Sequence, residues 1–388
     1  MEKIRIYRKV ISAFLLLTLI LSGCGSKASG RTEDPVKGAA EDRLQVVATI
    51  FPQYDFARQI AGDRADVYML LKPGEEIHSY EPTPQDITMI QNSDLFIYTG
   101  GENDVWVENI LASLGEEKGG PRTVRLLDLV ETFEEEELEG MMPEKGEHDH
   151  GHGSEEDHEH ETEEDHDHVA DAATITGGHT HVHGGEPDEH VWTSPENCVI
   201  LIRALTEEFC SADPDNAQTY RTNGDAYRDA FEELDTQYLE MAEKAGRKTI
   251  LFGDRFPFRY LAEELGLTCY AAFSGCSAES EPSAATIAFL IDKAAEEQLP
   301  VVFQIEFSNG NIARAISEAA QVKIKRNAAK RAEGAGGTAG TEIPQIQVLQ
   351  LHSCHNVTGN EFNSGETCLS LMTKNLEALR TALGVPKE

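Results

Sequence analysis

The middle of the chain contains a long run that cannot contribute to a hydrophobic core. Residues 134–185 are dominated by Glu, Asp, His and Gly, and apolar side chains recur there with neither a helical nor a strand period. We therefore expect this run to be an insertion that is disordered or is ordered by bound ions. The folded core must come from the segments before and after it, so the fold has to tolerate a large interruption.

The histidines of the chain fall into two groups. Ten of the fourteen lie between His148 and His183, and the other four stand singly in separate contexts, at His78, His190, His352 and His355. Neutral imidazole is the commonest protein ligand for zinc and similar ions, and carboxylates are acceptable partners. The pattern indicates a protein that handles transition metals and binds several ions weakly in the insertion. For the insertion alone, a solvated acidic loop is the alternative interpretation.

The negative charge of the chain is concentrated in and around the insertion. The formal net charge is −36, and residues 131–189 contain 22 acidic residues and one lysine. This charge argues against nucleic acid as a partner, because contacts with phosphates require a basic surface. An acidic segment of this kind instead concentrates cations near the protein surface.

The N-terminus has the pattern of a bacterial lipoprotein signal. Residues 1–23 combine early basic residues with an apolar stretch that is too short for a comfortable membrane span. The stretch ends in Leu-Ser-Gly-Cys at Cys24, which resembles a lipobox and implies lipid attachment to the Cys24 sulfur. Residues 24–42 are small and polar and suit a tether. We expect a protein anchored by lipid to the outer face of the bacterial cytoplasmic membrane, with an ordinary secretory signal as the alternative.

Short apolar strands alternate with amphipathic helices on both sides of the insertion. This alternation predicts an α/β fold with two parallel-sheet lobes, an N-terminal lobe at residues 43–215 and a C-terminal lobe at residues 246–388. Residues 216–245 place aromatic and apolar side chains at helical spacing, which predicts a long, rigid linking helix between the lobes. Residues 325–342 are basic and then rich in Gly and Ala, and they are predicted to form a surface loop.

Two of the single histidines belong to segments that carry a family resemblance. The segments are Ile50–Ala57 (IFPQYDFA), Lys72–Pro84 (KPGEEIHSYEPTP), Tyr98–Trp106 (YTGGENDVW) and Pro187–Pro195 (PDEHVWTSP). Together they resemble the zinc- and manganese-binding lipoproteins that supply ATP-driven metal importers, the ZnuA-like and TroA-like proteins. The resemblance covers nearly all of the chain after the tether. It implies one metal ion in the cleft between the lobes, with His78 and His190 as ligands.

The remaining ligands depart from the pattern of that family. The third ligand is normally His or Glu, but Arg255 holds its place here, and an arginine cannot bind a cation. His352 stands at the place of a late acidic ligand and restores a set of three histidines. Asp254, Glu306 or water then completes a tetrahedron. His355 is interpreted as a supporting or surface residue.

The resemblance implies an extracytoplasmic receptor that captures a divalent ion and delivers it to the permease of an ABC importer. Three imidazoles favour Zn²⁺, and Mn²⁺ is the second choice because it prefers oxygen ligands. A manganese or iron receptor and a surface metal buffer or adhesin are the alternatives. A zinc hydrolase is disfavoured, since the chain has neither an HExxH nor a GxSxG segment. We therefore expect a binding protein and not an enzyme.

Six cysteines follow Cys24, and their spacing includes no CxxC pair, which argues against a zinc knuckle. An extracytoplasmic location permits disulfides, but the sequence alone does not define their pairing. A bridge between Cys269 and Cys276 is conceivable, and buried thiols are the alternative for most of the six.

Overall fold

The computed structural model of the chain describes residues 43–77, 80–114, 120–135, 138–141, 187–275, 281–334 and 345–386. The predictions for Cys24, His78, Cys276 and most of the insertion lie outside these residues. No helix in the described ranges is long and apolar enough to cross a membrane.

The N-terminal lobe is built on a four-stranded parallel sheet with the strand order β2-β1-β3-β4. Its strands are β1 (Leu44–Ala48), β2 (Ala65–Met69), β3 (Leu95–Tyr98) and β4 (Arg122–Arg125), and its first helices are α1 (Phe51–Ala61), α2 (Pro84–Gln91) and α3 (Val105–Leu114). Helix α2 begins as its sequence predicts, because the Thr83 side chain accepts a hydrogen bond from the Asp86 amide at 3.2 Å. Its first helical residue is Pro84, whose missing N–H costs nothing at that position.

Two long helices follow the insertion, α4 (Pro195–Ala212) and α5 (Ala217–Lys244). The predicted apolar stripe of α5 is buried along its whole length, at Tyr220, Tyr227, Phe231, Leu234, Tyr238 and Met241. Gly224 does not break this helix. It lets α4 approach closely, since a Cβ at Gly224 would lie 2.1 Å from the Thr206 hydroxyl oxygen.

The linking helix α5 is anchored in both lobes. Near its middle, the Tyr227 hydroxyl donates to the Asp55 carboxylate of α1 at 2.6 Å. Further along, the Tyr238 hydroxyl donates to the Met372 carbonyl at 2.6 Å. The two hydroxyls are about three helical turns apart on one buried face, so one continuous helix is hydrogen-bonded to both lobes.

The C-terminal lobe repeats the first with a parallel sheet of order β6-β5-β7-β8. Its strands are β5 (Thr249–Phe256), β6 (Thr268–Ser274), β7 (Val301–Gln304) and β8 (Gln347–Gln350), and its helices are α6 (Arg259–Leu265), α7 (Ala284–Glu296), α8 (Asn311–Gly334), α9 (Gly359–Ser364) and α10 (Cys368–Leu383). The prediction of two parallel-sheet α/β lobes joined by a long helix is confirmed. Ligand sites in such sheets lie beyond the carboxyl ends of the strands.

One boundary prediction was wrong. The loop predicted from Lys325 is helical as far as Gly334, because α8 continues through a run of Ala, Lys, Arg and Asn. Alanine, lysine and arginine are strong helix formers, and their charge does not prevent a solvent-exposed helix. Residues 335–344 of that predicted loop lie outside the described ranges.

Candidate metal site

The loop at residues 187–193 brings His190 into the interior between the lobes. Its start pairs with the root of the insertion, where the Asp188 amide donates to the Phe133 carbonyl at 2.8 Å. Glu189 fastens the loop to the N-terminal lobe by accepting from the amide and the side chain of Asn103, at 2.9 and 2.6 Å. From the other lobe, the Tyr260 hydroxyl donates to the Asp188 carbonyl at 2.7 Å. Both lobes therefore hold the loop.

The ring of His190 is fully buried and its orientation is set by one carboxylate. Asp188 Oδ1 accepts from the His190 amide and from its Nδ1–H, each at 2.8 Å. With the proton on Nδ1, Nε2 keeps its lone pair, and Nε2 is buried without a protein partner among the described residues. Burial by itself lowers the pKa of His190, but the Asp188 charge and hydrogen bond outweigh it, and the pKa is raised. A carboxylate behind an imidazole in this way is the usual support of a metal-ligating histidine.

A second loop, residues 351–357 after β8, crosses from the C-terminal lobe onto the N-terminal lobe. The Asn356 side chain donates to the carbonyls of Lys72 and Glu75, at 2.7 and 2.9 Å. Those carbonyls belong to the segment that leads to His78. The Trp192 indole N–H donates to the Ser353 carbonyl at 2.8 Å and so joins this loop to the His190 loop.

These contacts place His355 against His190. The two ring centroids are 4.6 Å apart with the planes at 88°, and Trp192 packs edge-on against both rings. A zinc–imidazole bond is about 2.0–2.1 Å long, so two rings that share one ion must lie about this close together. Of the two histidines in the 351–357 loop, it is His355 that meets His190.

The proton of His355 is positioned by a relay through Ser353. The Ser353 hydroxyl donates to Glu306, which also accepts from the Ser353 amide at 2.8 Å. Having donated its one hydrogen, that hydroxyl accepts from His355 Nδ1–H at 2.7 Å. The lone pair of His355 is then on Nε2, as in His190.

His352 has the opposite arrangement. The Cys354 amide donates to His352 Nδ1 at 2.9 Å, so the proton of the neutral ring lies on Nε2. Burial lowers the pKa of His352, but the charge of Glu306, 3.8 Å from Nδ1, outweighs it and raises the pKa to about 9. Nε2 of His352, like that of His190, is buried without a protein partner among the described residues, and His352 stays a predicted ligand.

The two carboxylates considered as completing ligands are engaged elsewhere. Asp254 accepts from the amides of Arg255 and Ile305, at 2.9 and 3.3 Å. Glu306 holds Ser353, as described above, and does not form an ion pair with Arg255. Instead, Arg255 Nη1 lies 3.4 Å from Glu76 Oε1, at the end of the segment that leads to His78.

A small cavity of about 20 Å³ lies between these groups and is large enough for a single ion or water. Its wall includes Glu76, Ile77, Arg255, Glu306 and His355. In the described ranges, no group of three or more His, Cys, Asp and Glu side chains is arranged to hold a metal ion. Ile77 is the residue before His78, which lies outside those ranges.

Asp188 and Ser353, which contact the Nδ1 atoms of His190 and His355, were not predicted from the sequence. One signal could have identified them. Each is a polar residue two positions before a histidine, at Asp188–His190 and Ser353–His355. A side chain at that spacing in a turn can reach Nδ1 of the histidine and direct Nε2 outward.

Comparison with known proteins shows which family the chain is similar to. The ZnuA family, zinc-uptake complex component A, periplasmic, matches residues 46–382. The high-affinity zinc uptake system protein ZnuA of Bacillus subtilis is 30% identical over 366 residues, which are 94% of each chain. The zinc-binding lipoprotein AdcA of Streptococcus pneumoniae is 29% identical over 341 residues, 88% of this chain and 56% of AdcA. The chain thus spans about half the length of the AdcA protein that it matches.

A solved structure extends the agreement to the fold. The metal-dependent lipoprotein YcdH from Bacillus subtilis superposes with a TM-score of 0.62 at 26% identity, over 88% of this chain and 100% of that chain. Because the family match runs from β1 to the last turn of α10 and includes both histidine loops, the chain belongs to the ZnuA family.

Proposed function

We propose that this protein is an extracytoplasmic receptor that captures one zinc ion between its lobes, with His78, His190 and His355 as ligands. The observation that carries the proposal is the matched pair of imidazoles. The ring centroids of His190 and His355 lie 4.6 Å apart, the Nδ1 of each ring is engaged by a neighbouring side chain, and Nε2 of His190 is buried without a protein partner among the described residues. His78 is the third ligand on the strength of its motif, and Ile77, the residue before it, lines the small cavity that His355 also lines.

Zinc is proposed in preference to manganese because the donors are imidazole nitrogens. Manganese prefers sites with more oxygen ligands, whereas three histidines and a water or carboxylate are sufficient ligands for zinc. The names of the relatives in Bacillus subtilis and Streptococcus pneumoniae, a zinc uptake protein and a zinc-binding lipoprotein, support the same ion. His352 and Asp254 are the competing ligands and are tested below.

Delivery of the ion to an ABC importer permease, with the chain anchored through lipid on Cys24, is the cellular role that we propose. The family name describes a component of an uptake complex, which supports this role. The ten histidines between His148 and His183 would collect ions weakly and raise their concentration near the cleft. If the protein were only a surface buffer, its deletion would leave growth in zinc-depleted medium unchanged.

The ligand set is tested with two matched asparagine variants. Asparagine reproduces the hydrogen-bonding reach of Nδ1 but lacks a group at the place of Nε2. We expect His355→Asn to weaken zinc binding by at least about 100-fold, the upper end of the cost of losing a supporting partner. His352→Asn keeps an acceptor for the Cys354 amide and should change zinc affinity by less than about fivefold.

Competition with a fluorescent chelator measures both affinities. The reference is a variant in which a short Gly/Ser linker replaces residues 144–185, so that only cleft binding is counted. Tight binding that survives His355→Asn and is lost in His352→Asn would restore the assignment of His352. An Asp254→Asn variant that loses zinc while both histidine variants keep it would assign Asp254 instead.

A further inference from the structure

The last part of α8 is strongly basic, in a chain whose formal net charge is −36. Residues 323–331 contain five Lys and Arg side chains and no acidic residue. The inner side of this segment is held by Ile324, which packs against the apolar cluster of the C-terminal lobe. Four of the cationic side chains are exposed and form what we call the cationic surface of α8: Lys325, Arg326, Lys330 and Arg331.

The cationic surface has no acidic partner in the part of the chain that the structure describes. None of its four side chains forms an ion pair or a hydrogen bond with a described residue. Lys323, just before the surface, differs from them, because it pairs with Asp292 of α7 at 2.5 Å. Arg326 and Lys330 are four residues apart, and like charges at that spacing destabilise a helix. An anionic partner would relieve this repulsion.

The acidic insertion leaves the described structure beside α7, the helix on which α8 packs. At the root of the insertion, Glu139 Oε2 lies 3.9 Å from Lys293 Nζ. The backbone of Gly140 packs on the ring of Phe289, since a Cβ at Gly140 would lie 2.1 Å from that ring. The residue before Lys293 is the partner of Lys323 described above. About one turn of α7 therefore contacts both the root of the insertion and the start of the basic segment.

The basic end of α8 is within reach of the insertion. Helix α7 ends at Glu296, whereas α8 continues for eleven residues after Lys323, to Gly334. With a rise of about 1.5 Å per residue, the cationic surface extends to about 12 Å beyond Lys323. An extended chain spans about 3.3–3.6 Å per residue, so a few residues cover this distance. Residues 144–167 begin three residues after Met141 and contain twelve acidic residues against one lysine.

We propose that the cationic surface of α8 is a docking surface for the acidic, histidine-rich insertion of the same chain, with residues 144–167 as its occupant. Opposite charge and a shared neighbour, α7, carry the proposal. An anionic membrane also has a suitable charge, but the insertion is attached beside the surface and so has a high effective concentration there. Docking offsets like-charge repulsion within both segments and keeps the histidines of the insertion close to the C-terminal lobe. The proposal does not depend on the ligand set of the cleft.

Zero-length cross-linking of the full chain, purified in detergent, tests the proposal. A carbodiimide joins a lysine to a carboxylate only where the two are in contact, and peptide mass spectrometry identifies the pairs. We expect links from Lys325 and Lys330 to carboxylates of residues 144–167 within one molecule. Their yield should fall at least about fivefold in about 1 M NaCl, where exposed charges are screened beyond about 3 Å.

Two other lysines are internal controls for the cross-linking. Lys323 should link to Asp292 in every sample, since the two side chains are 2.5 Å apart. Lys374 of α10 is exposed and pairs with Glu366 at 2.6 Å, and it should not link to the insertion.

Removal of the four charges is the second test. In the variant Lys325→Gln/Arg326→Gln/Lys330→Gln/Arg331→Gln, a protease that cleaves after Glu should cut residues 144–167 at least about fivefold faster than in the wild type, because four exposed ion pairs are lost. A matched control has the same net charge and should keep the wild-type rate. Its changes lie on α4, α5 and α10: Arg203→Gln/Arg221→Gln/Lys244→Gln/Lys374→Gln.

Absence of links to the insertion, in a sample that shows the link between Lys323 and Asp292, would overturn the proposal. An equal rise in the cleavage rate of the control variant would overturn it as well. Links found only between differently isotope-labelled molecules would assign the surface to a second copy of the chain. Links lost with phosphatidylglycerol vesicles but kept with phosphatidylcholine vesicles would assign it to anionic lipid, and docking within one molecule would then be wrong.

Discussion

Each of the two histidine loops of this protein holds Nδ1 of an imidazole ring, but the two loops use different chemical groups. In the 187–193 loop, a carboxylate contacts the ring directly, with Asp188 Oδ1 2.8 Å from His190 Nδ1. In the 351–357 loop, a neutral hydroxyl stands between the ring and the acid, since His355 contacts Ser353 and Ser353 contacts Glu306. Direct contact with a charge makes an imidazole more basic than contact through a relay. We therefore expect His190 to contribute more to ion affinity and to be the more sensitive to acid.

Replacement of His190 is expected to have the largest effect on zinc affinity. His190→Asn keeps a donor for Asp188 and eliminates Nε2, so zinc affinity should fall by more than about 100-fold. Competition with a chelator, monitored with and without the 144–185 replacement, measures the loss in the cleft. Tight binding that persists in this variant would mean that the loop does not supply a ligand.

The acid sensitivity of zinc binding is expected to show the second largest effect. An imidazole binds metal only without its proton, so affinity is complete above its pKa and declines as the pH falls through it. The pKa of His190 lies above the ordinary value of 6.5, so the decline should begin above pH 6.5. Below that point we expect about a tenfold loss per pH unit for each ligating imidazole. Zinc retention that is equal at pH 7.5 and pH 5 would contradict the imidazole site.

Replacement of the side chain that contacts Nδ1 of each histidine compares the two loops directly. Asp188→Asn should reduce zinc affinity by about 10- to 100-fold, as expected for loss of a carboxylate behind a ligand. It should also move the acid transition to lower pH, because the charge that raises the pKa of His190 is gone. Ser353→Ala removes the neutral hydroxyl between His355 and Glu306 and should reduce zinc affinity by about tenfold or less. Larger loss from Ser353→Ala than from Asp188→Asn would reverse our ranking of the loops.

The smallest effect is expected from the bond that joins the two loops. Trp192→Phe keeps a buried aromatic ring but removes the indole N–H that donates to the Ser353 carbonyl at 2.8 Å. The free energy of unfolding should fall by about 1 kcal/mol, the net value of one such hydrogen bond. Zinc affinity should change by only a few-fold, measured alongside thermal unfolding. A loss as large as that of His190→Asn would show that this bond, and not the imidazoles, controls the site.

Much of the fold could be predicted because its signals are local. The strand and helix patterns predicted both lobes, and the helical spacing from Tyr220 to Met241 predicted the linking helix that the structure confirms. The expectation of a binding protein and not an enzyme is confirmed by membership of the zinc-uptake family. The extension of α8 beyond Lys325 was not predicted, because a basic, alanine-rich run resembles a loop in composition while its residues favour a helix.

Local sequence patterns were enough to predict two parallel-sheet lobes, the long helix between them and the segment that contains His190. The different surroundings of His352 and His355, which are only three residues apart, could not be predicted from the sequence. One ring receives the Cys354 amide on Nδ1, and the other donates its Nδ1 proton to Ser353. A histidine binds metal through the nitrogen that has no proton, and the location of that proton depends on neighbours that only the folded chain brings together.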